Sequence, residues 1–207
     1  MSPRPAIDHV RKPQILDAAA AVITERGLSN TRIADVAERA GTSPPAVLYW
    51  FETREQLLTA ALIADEEAFA ERIGERLDDA VTATEKLALL IEATVAEPRI
   101  DLWIELWARS LHDPDAARER LRRDRVWRSL FAEVVLAGRA AGEFDLAVDP
   151  DLAALSITSF MDGLSVQMTL RDPALTPELM ESLLVGHAEG IVGASLRPGL
   201  DAEAVGA

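Results

Sequence analysis

The chain has no cysteine. Disulfides, a thiolate nucleophile and a cysteine-ligated metal are therefore excluded, and a reducing, cytoplasmic setting is expected. Long hydrophobic runs are missing too. The longest, around Val134-Val135-Leu136-Ala137, is far shorter than the ~20 apolar residues that a membrane helix requires. The opening MSPRPAIDHVRKP has no apolar core and does not read as a signal peptide. Aromatic residues are scarce, with one Tyr, five Phe and four Trp, and no β-branched run suggests a strand. The three histidines, at positions 9, 112 and 187, are scattered and none sits in an H-E-x-x-H spacing. No glycine-rich phosphate loop or nucleophile elbow occurs. No catalytic residue, metal or cofactor is expected, and the chain is not expected to be an enzyme. His112 beside Asp113 could bind a metal, but a turn is the plainer reading.

Positive charge is also short. The formal net charge is −14, which by itself argues against a nucleic-acid partner. Its distribution argues otherwise. Residues 1–55 hold seven Lys/Arg and seven Asp/Glu, whereas residues 56–207 hold 14 and 28. A neutral segment can still meet phosphates if its basic residues share a face.

What remains favours helix. Apolar residues make up 49% of the chain, enough for a real core, and Ala, Leu, Glu and Arg dominate. From Gln14 to Glu25 the residues Ile15, Ala18, Ala19, Val22 and Ile23 recur at helical spacing. Gly27 closes that helix. Asn30 or Thr31 caps a second, carrying Ile33, Val36 and Ala37. Gly41 ends it, and Ser43-Pro44 opens a third with a hydroxyl cap and Pro at the first helical position. Thr53 caps a fourth. Later helices are expected over 84–96, from Pro98 to Leu111, over 115–140, from Asp151 to Leu170 and from Thr176 to Leu196. The fold class expected is all-α: an N-terminal three-helix helix-turn-helix domain (1–55), then a larger helical ligand-binding and dimerisation domain (56–207). Roughly nine helices are counted from the periodicity.

The second helix, a turn at Ala40-Gly41-Thr42 and the short third helix fit a helix-turn-helix. The run ILDAAAAVITERGLSNTRIADVAERAGTSPPAVLYWFETREQLL resembles the N-terminal domain of the TetR family of transcriptional regulators. The elements that carry the resemblance are Ile15-Leu16, Gly27, Thr31, Val36-Ala37, Ala40-Gly41, Tyr49 and Phe51, Arg54-Glu55 and Leu57-Leu58. Three positions depart from the family pattern: Trp50 stands where His is frequent, Pro45 where Gly is frequent, and Arg54 replaces Lys.

The resemblance implies double-stranded operator DNA as a partner. Carried over residue by residue, Thr31 and Arg32 contact phosphate, and Thr42 and Ser43 approach phosphate or a base edge. Pro45 and Ala46 lie against bases, where thymine methyl groups are apolar targets. Tyr49 and Trp50 touch the backbone, and Arg54 clamps a phosphate. Arg4, Arg11 and Lys12 could add contacts from an N-terminal arm. Each residue also has a plainer reading: Ser43 as a cap, the prolines as stiffeners of the helix start, and Tyr49 and Trp50 as core.

In the remainder, Trp103 and Trp107 share a helix face, and Trp127 and Phe131 repeat that spacing. Ordinary core packing explains any one of them. Together they could wall a pocket for a small-molecule effector. With Asp101 and Glu105 near in sequence, a cationic ligand held by aromatic faces is conceivable. The segment LAALSITSFMDGLSVQMTL resembles the family's penultimate helix. It implies a homodimer built on Leu155, Ser159, Phe160 and Gly163 with Leu183, Leu184 and Ile191 of the last helix. The expected function is a repressor that binds a palindromic operator as a dimer, its recognition helices roughly 34–36 Å apart, and leaves it when an effector binds. The rival readings are a helical small-molecule-binding protein or scaffold without DNA binding, and an enzyme.

Overall fold

The structure is a computed structural model. It describes residues 12–96, 103–104, 107–108, 110–145 and 147–196. Eight helices follow one another among the described residues: α1 (Lys12–Arg26), α2 (Ile33–Arg39), α3 (Pro44–Trp50), α4 (Arg54–Asp79), α5 (Ala83–Ala96), α6 (Pro114–Ala141), α7 (Pro150–Thr169) and α8 (Pro177–Val192). No strand occurs among them. The additional helix expected between Pro98 and Leu111 lies largely outside the described residues; Trp103, Ile104, Trp107, Ala108 and Ser110 are helical where described.

By internal contacts the chain forms two compact units, one ending at Arg72 and one starting at Ile73. This division falls inside α4, whereas the sequence places its boundary at that helix's start.

The first unit closes around the expected stripe. Ile15, Ala19, Val22 and Ile23 of α1 pack with Val36 of α2, Val47 of α3, Phe51 and Leu57 as buried core. Each of these side chains, taken from water, contributes about 1.5–3 kcal/mol for the larger ones. Between α2 and α3 the chain reverses through Gly41 at φ +64°, a left-handed conformation that an L side chain adopts only with strain. The Thr42 N–H donates to the Ala37 carbonyl at 2.9 Å and the Gly41 N–H to that of Glu38 at 3.1 Å, so the end of α2 is satisfied.

In the second unit, α5, α6, α7 and α8 pack together around Phe131, Leu87, Leu90, Ile91, Ile157, Met161 and Leu184. The starts of α6, α7 and α8 are set by side-chain caps followed by proline. Asp113 Oδ1 accepts from the N–H groups of Asp115 and Ala116, Asp149 Oδ1 from Leu152, and Thr176 Oγ1 from Leu179. Asp113 is therefore the N-cap of α6. One tertiary cap spans the unit. The Glu143 carboxylate, in the α6–α7 connection, accepts from the N–H groups of Ala83 and Thr84 and from the Thr84 hydroxyl at 2.9–3.2 Å. Among the described residues no helix is long and apolar enough to cross a membrane, and no group of three or more His, Asp or Glu gathers to hold a metal ion.

Candidate nucleic-acid interface and effector site

Helix α3 is seven residues long and only its inner side is covered. Ala46 and Val47 are buried, while Ser43, Pro44, Pro45, Leu48, Tyr49 and Trp50 are exposed. Tyr49 is 67% exposed and meets Trp50 edge to face at 5.7 Å between ring centres. These two aromatics are thus surface groups and not the core that helical spacing alone permits. Ser43 occupies the cap position with extended backbone, but its hydroxyl makes no cap hydrogen bond. The expected capping role is not formed, and Ser43 is exposed.

Three expected contact residues are placed differently. Thr31 is 1% exposed, and its hydroxyl donates to the Gly27 carbonyl at 2.9 Å; its side chain ties the loop to the end of α1. Ala46 is 5% exposed and faces the core, because it lies on the side of α3 that packs within the unit. Arg54 is the third correction. Its Nε donates to the Thr31 carbonyl at 2.7 Å, and one terminal nitrogen donates to Leu28 at 2.6 Å and Ser29 at 3.3 Å. The guanidinium that was expected to clamp a phosphate holds three backbone carbonyls of the α1–α2 loop through Nε and one terminal nitrogen, while the other terminal nitrogen lies 3.4 Å from Glu55. Free carbonyls after a helix end need donors, and a planar fork meets several at once.

The other cations of this unit are largely paired. Arg26 meets Asp35 at 2.7 Å and Arg39 meets Glu25 at 2.5 Å, and Lys12 stands over the Phe51 ring. Arg32 is exposed and has no ion pair among the described residues. Arg4 and Arg11 lie outside the described residues. Leu48, 43% exposed, was missed by sequence reasoning. An isolated leucine at helical spacing reads as core, and only its neighbours in space show that it is not.

In the second unit, Trp127 and Phe131 meet edge to face at 5.3 Å between ring centres. Phe131 is fully buried and Trp127 half-buried. Trp103 and Trp107 are half-buried as well, and the Trp107 indole N–H is buried with no hydrogen-bond partner among the described residues. Asp101 and Glu105 lie outside the described residues. A further acid was not singled out for this site. Asp162 of α7 is half-buried, and its carboxyl is raised to about 6, first by burial and then by the nearby Asp124, with Arg128 opposing. Asp124, Trp127, Arg128 and Phe131 recur at three- and four-residue spacing on α6 and so share one face. Asp124 is paired with Arg120 at 2.6 Å. A surface groove of about 520 Å3 lies elsewhere, between Arg76, Val81, Leu89, Glu92 and Leu196; none of the four aromatics lines it.

Residues expected at a dimer interface divide in two. Leu155, Ser159, Gly163 and Leu183 are exposed, and Phe160 and Ile191 are half-covered. Leu184 is fully buried in its own chain, which corrects its assignment: a residue next to Leu183 on a helix is turned about 100° away. The two helices meet where Phe160 stacks on His187 at 4.4 Å and Ser156 Oγ lies 3.2 Å from His187 Nε2. Gly163, Gly186 and Gly190 have nothing within 4 Å of where a Cβ would stand.

Comparison with known proteins agrees with this architecture. Residues 15–61 match the family described as bacterial regulatory proteins, tetR family, and residues 75–193 match the C-terminal part of BetI-type transcriptional repressors. The HTH-type transcriptional regulator BetI of Cronobacter sakazakii is 25% identical over 87% of this chain and 90% of its own. That of Proteus mirabilis is 28% identical over 82% and 86%. A transcriptional regulator of Saccharomonospora viridis, solved in complex with choline, superposes with a TM-score of 0.74 at 26% identity over 86% of this chain and 94% of its own. A TetR-family regulator from a Rhodococcus species gives 0.71 at 27% identity over 86% and 96%. The helix-turn-helix, the helical second unit and the two matches that together span them lead to one conclusion: the chain belongs to the TetR family of transcriptional regulators, with a C-terminal part of the BetI type.

Proposed function

We propose that this chain is a repressor that binds a palindromic operator as a homodimer and is released by a small organic cation. In this reading residues 1–55 bind DNA, residues 56–207 sense and dimerise, and α4 runs from one function into the other. The observation that carries the reading is α3, a short helix held behind a left-handed glycine with its outer face bare. The second helix of such a motif enters the major groove.

Dimerisation is supported by the α7–α8 face. A glycine inside an exposed helix costs about 1 kcal/mol relative to Ala. Nothing among the described residues requires Gly163, Gly186 or Gly190 to be so small. Close approach of a second copy does, and the exposed Leu155 and Leu183 beside them supply apolar area to bury.

The cation is supported by Asp162 and its surroundings. A half-buried carboxylate near a second acid gains from an added positive charge, and the half-buried Trp127 offers a ring face on the neighbouring helix. The choline held by the S. viridis relative belongs to this chemical class. A ligand releases DNA only if it prefers the non-binding conformer.

A gel shift with the duplex upstream of the protein's own gene tests the proposal. Retardation that fades as salt rises and is reversed by millimolar choline, but not by acetate, is expected. Absence of retardation at low salt overturns the DNA half; retardation indifferent to choline and to primary amines overturns the effector half.

A further inference from the structure

The outward face of α3 contains no charged side chain and no amide. From Ser43 the residues run SPPAVLYW, and the exposed ones are Ser43, Pro44, Pro45, Leu48, Tyr49 and Trp50. Bidentate reading of guanine needs Arg or Lys, and of adenine Asn or Gln. None is available on this helix. Of the arginines of the same unit, Arg26, Arg39 and Arg54 are held by Asp35, Glu25 and the loop carbonyls, and the exposed Arg32 stands at the start of α2 and not on α3. The side-chain donors left on the face are one serine hydroxyl, one phenol and one indole N–H.

What the face does offer is shape. Pro45 and Leu48 are three apart and therefore neighbours, with Pro44 and Tyr49 alongside. A 43% exposed leucine in the middle of a helix covered on one side only is apolar area awaiting a partner. The major groove presents one apolar feature, the C5 methyl group of thymine.

Resting on the DNA-binding reading above, we infer that α3 reads its half-site mainly through thymine methyl groups, with Leu48 as the central contact and Pro45 beside it. Hydrogen bonding from Ser43 and Tyr49 then orients the helix more than it selects the sequence. The half-site should carry thymines under α3, and guanine–cytosine order there should matter little.

The test removes the methyl and nothing else. Duplexes are selected from a random pool with the full chain, and the best is rebuilt with deoxyuridine replacing thymine within the half-sites. Deoxyuridine keeps every hydrogen-bonding group of thymine. Affinity should fall about fourfold for each methyl that had been stripped of water, while the same replacement outside the half-sites changes nothing. Leu48→Ala, a surface change that leaves the melting temperature intact, should bind the thymine and deoxyuridine duplexes alike. Equal affinity of the unaltered protein for both duplexes overturns the inference while leaving DNA binding intact. Full methyl sensitivity in Leu48→Ala overturns the assignment to Leu48. If no duplex is selected even at low salt, the DNA-binding reading falls and this inference with it.

Discussion

Two surfaces of this molecule leave apolar side chains in water, and they do so in opposite styles. On α3 the exposed groups are bulky and stiff, two prolines, a leucine and two aromatics. On α7 and α8 the leucines are separated by glycines and serines with empty space above them. A projecting, rigid face suits a groove. A notched one suits a close-packed twin. Both cost solvation in the isolated chain, which is why each points to a partner.

Filling the notch is the harshest way to break this contrast. The double change Gly186→Leu, Gly190→Leu should raise the stability of the single chain, because leucine is the better helix former and each Cβ has room. It should also yield monomers in sedimentation at micromolar concentration. Operator affinity should then drop about a hundredfold or more, since the second half-site is no longer tethered. A stable dimer with undiminished affinity would show that α7 and α8 do not pair across a two-fold axis.

Asp162 and Gly163 are adjacent on α7 and so turned about 100° apart: Asp162 is half-buried near Asp124 of α6, and Gly163 is exposed. The Asp162 carboxyl is raised to about 6 in the fold, so the fold favours the neutral acid. The stability it supports is present below the ordinary range near 3.8 and is lost as pH rises through about 6. Asp162→Asn should therefore stabilise the protein by about 1–2 kcal/mol at pH 8, discounted for partial exposure, and by little at pH 4. The same change should remove the choline response in the gel shift while leaving the dimer intact. Thermal melts at the two pH values decide the first point.

Arg54→Lys sharpens the other side. If this residue served a phosphate, lysine would keep the charge and much of the affinity. As a strut across three carbonyls it cannot be replaced by a point charge, and a loss of about 1 kcal/mol in urea titration is expected. The smallest effect belongs to Glu143. Its pKa is lowered chiefly by the Thr84 N–H, against some desolvation, with Ala83 and the Thr84 hydroxyl assisting. Its contribution is thus complete above the ordinary carboxylate range and fades as pH falls below it. Glu143→Gln should cost under about 1 kcal/mol at pH 7 and flatten the acid limb of the stability profile.

The sequence reading and the structure part company at identifiable places. Periodicity located seven of these helices to within a few residues, because each buries one stripe, and Thr176 marked a real start, whereas Asp113-Pro114, read as a turn, proves to open α6. The left-handed turn at Gly41 was legible for the same local reason. The partners of Arg54 lie 23 to 26 positions away, and those of Glu143 about 60; no local pattern carries such distances. Of the neighbours Leu183 and Leu184, only packing tells which faces in. Leu48 was not singled out, because nothing local signals that its side of α3 is uncovered.

The guanidinium of Arg54 has a mechanical consequence. It bolts the first turn of α4 to the carbonyls that follow α1 and to Thr31, immediately ahead of α2. Any torque on the start of α4 must therefore carry with it the loop and the base of the helix-turn-helix.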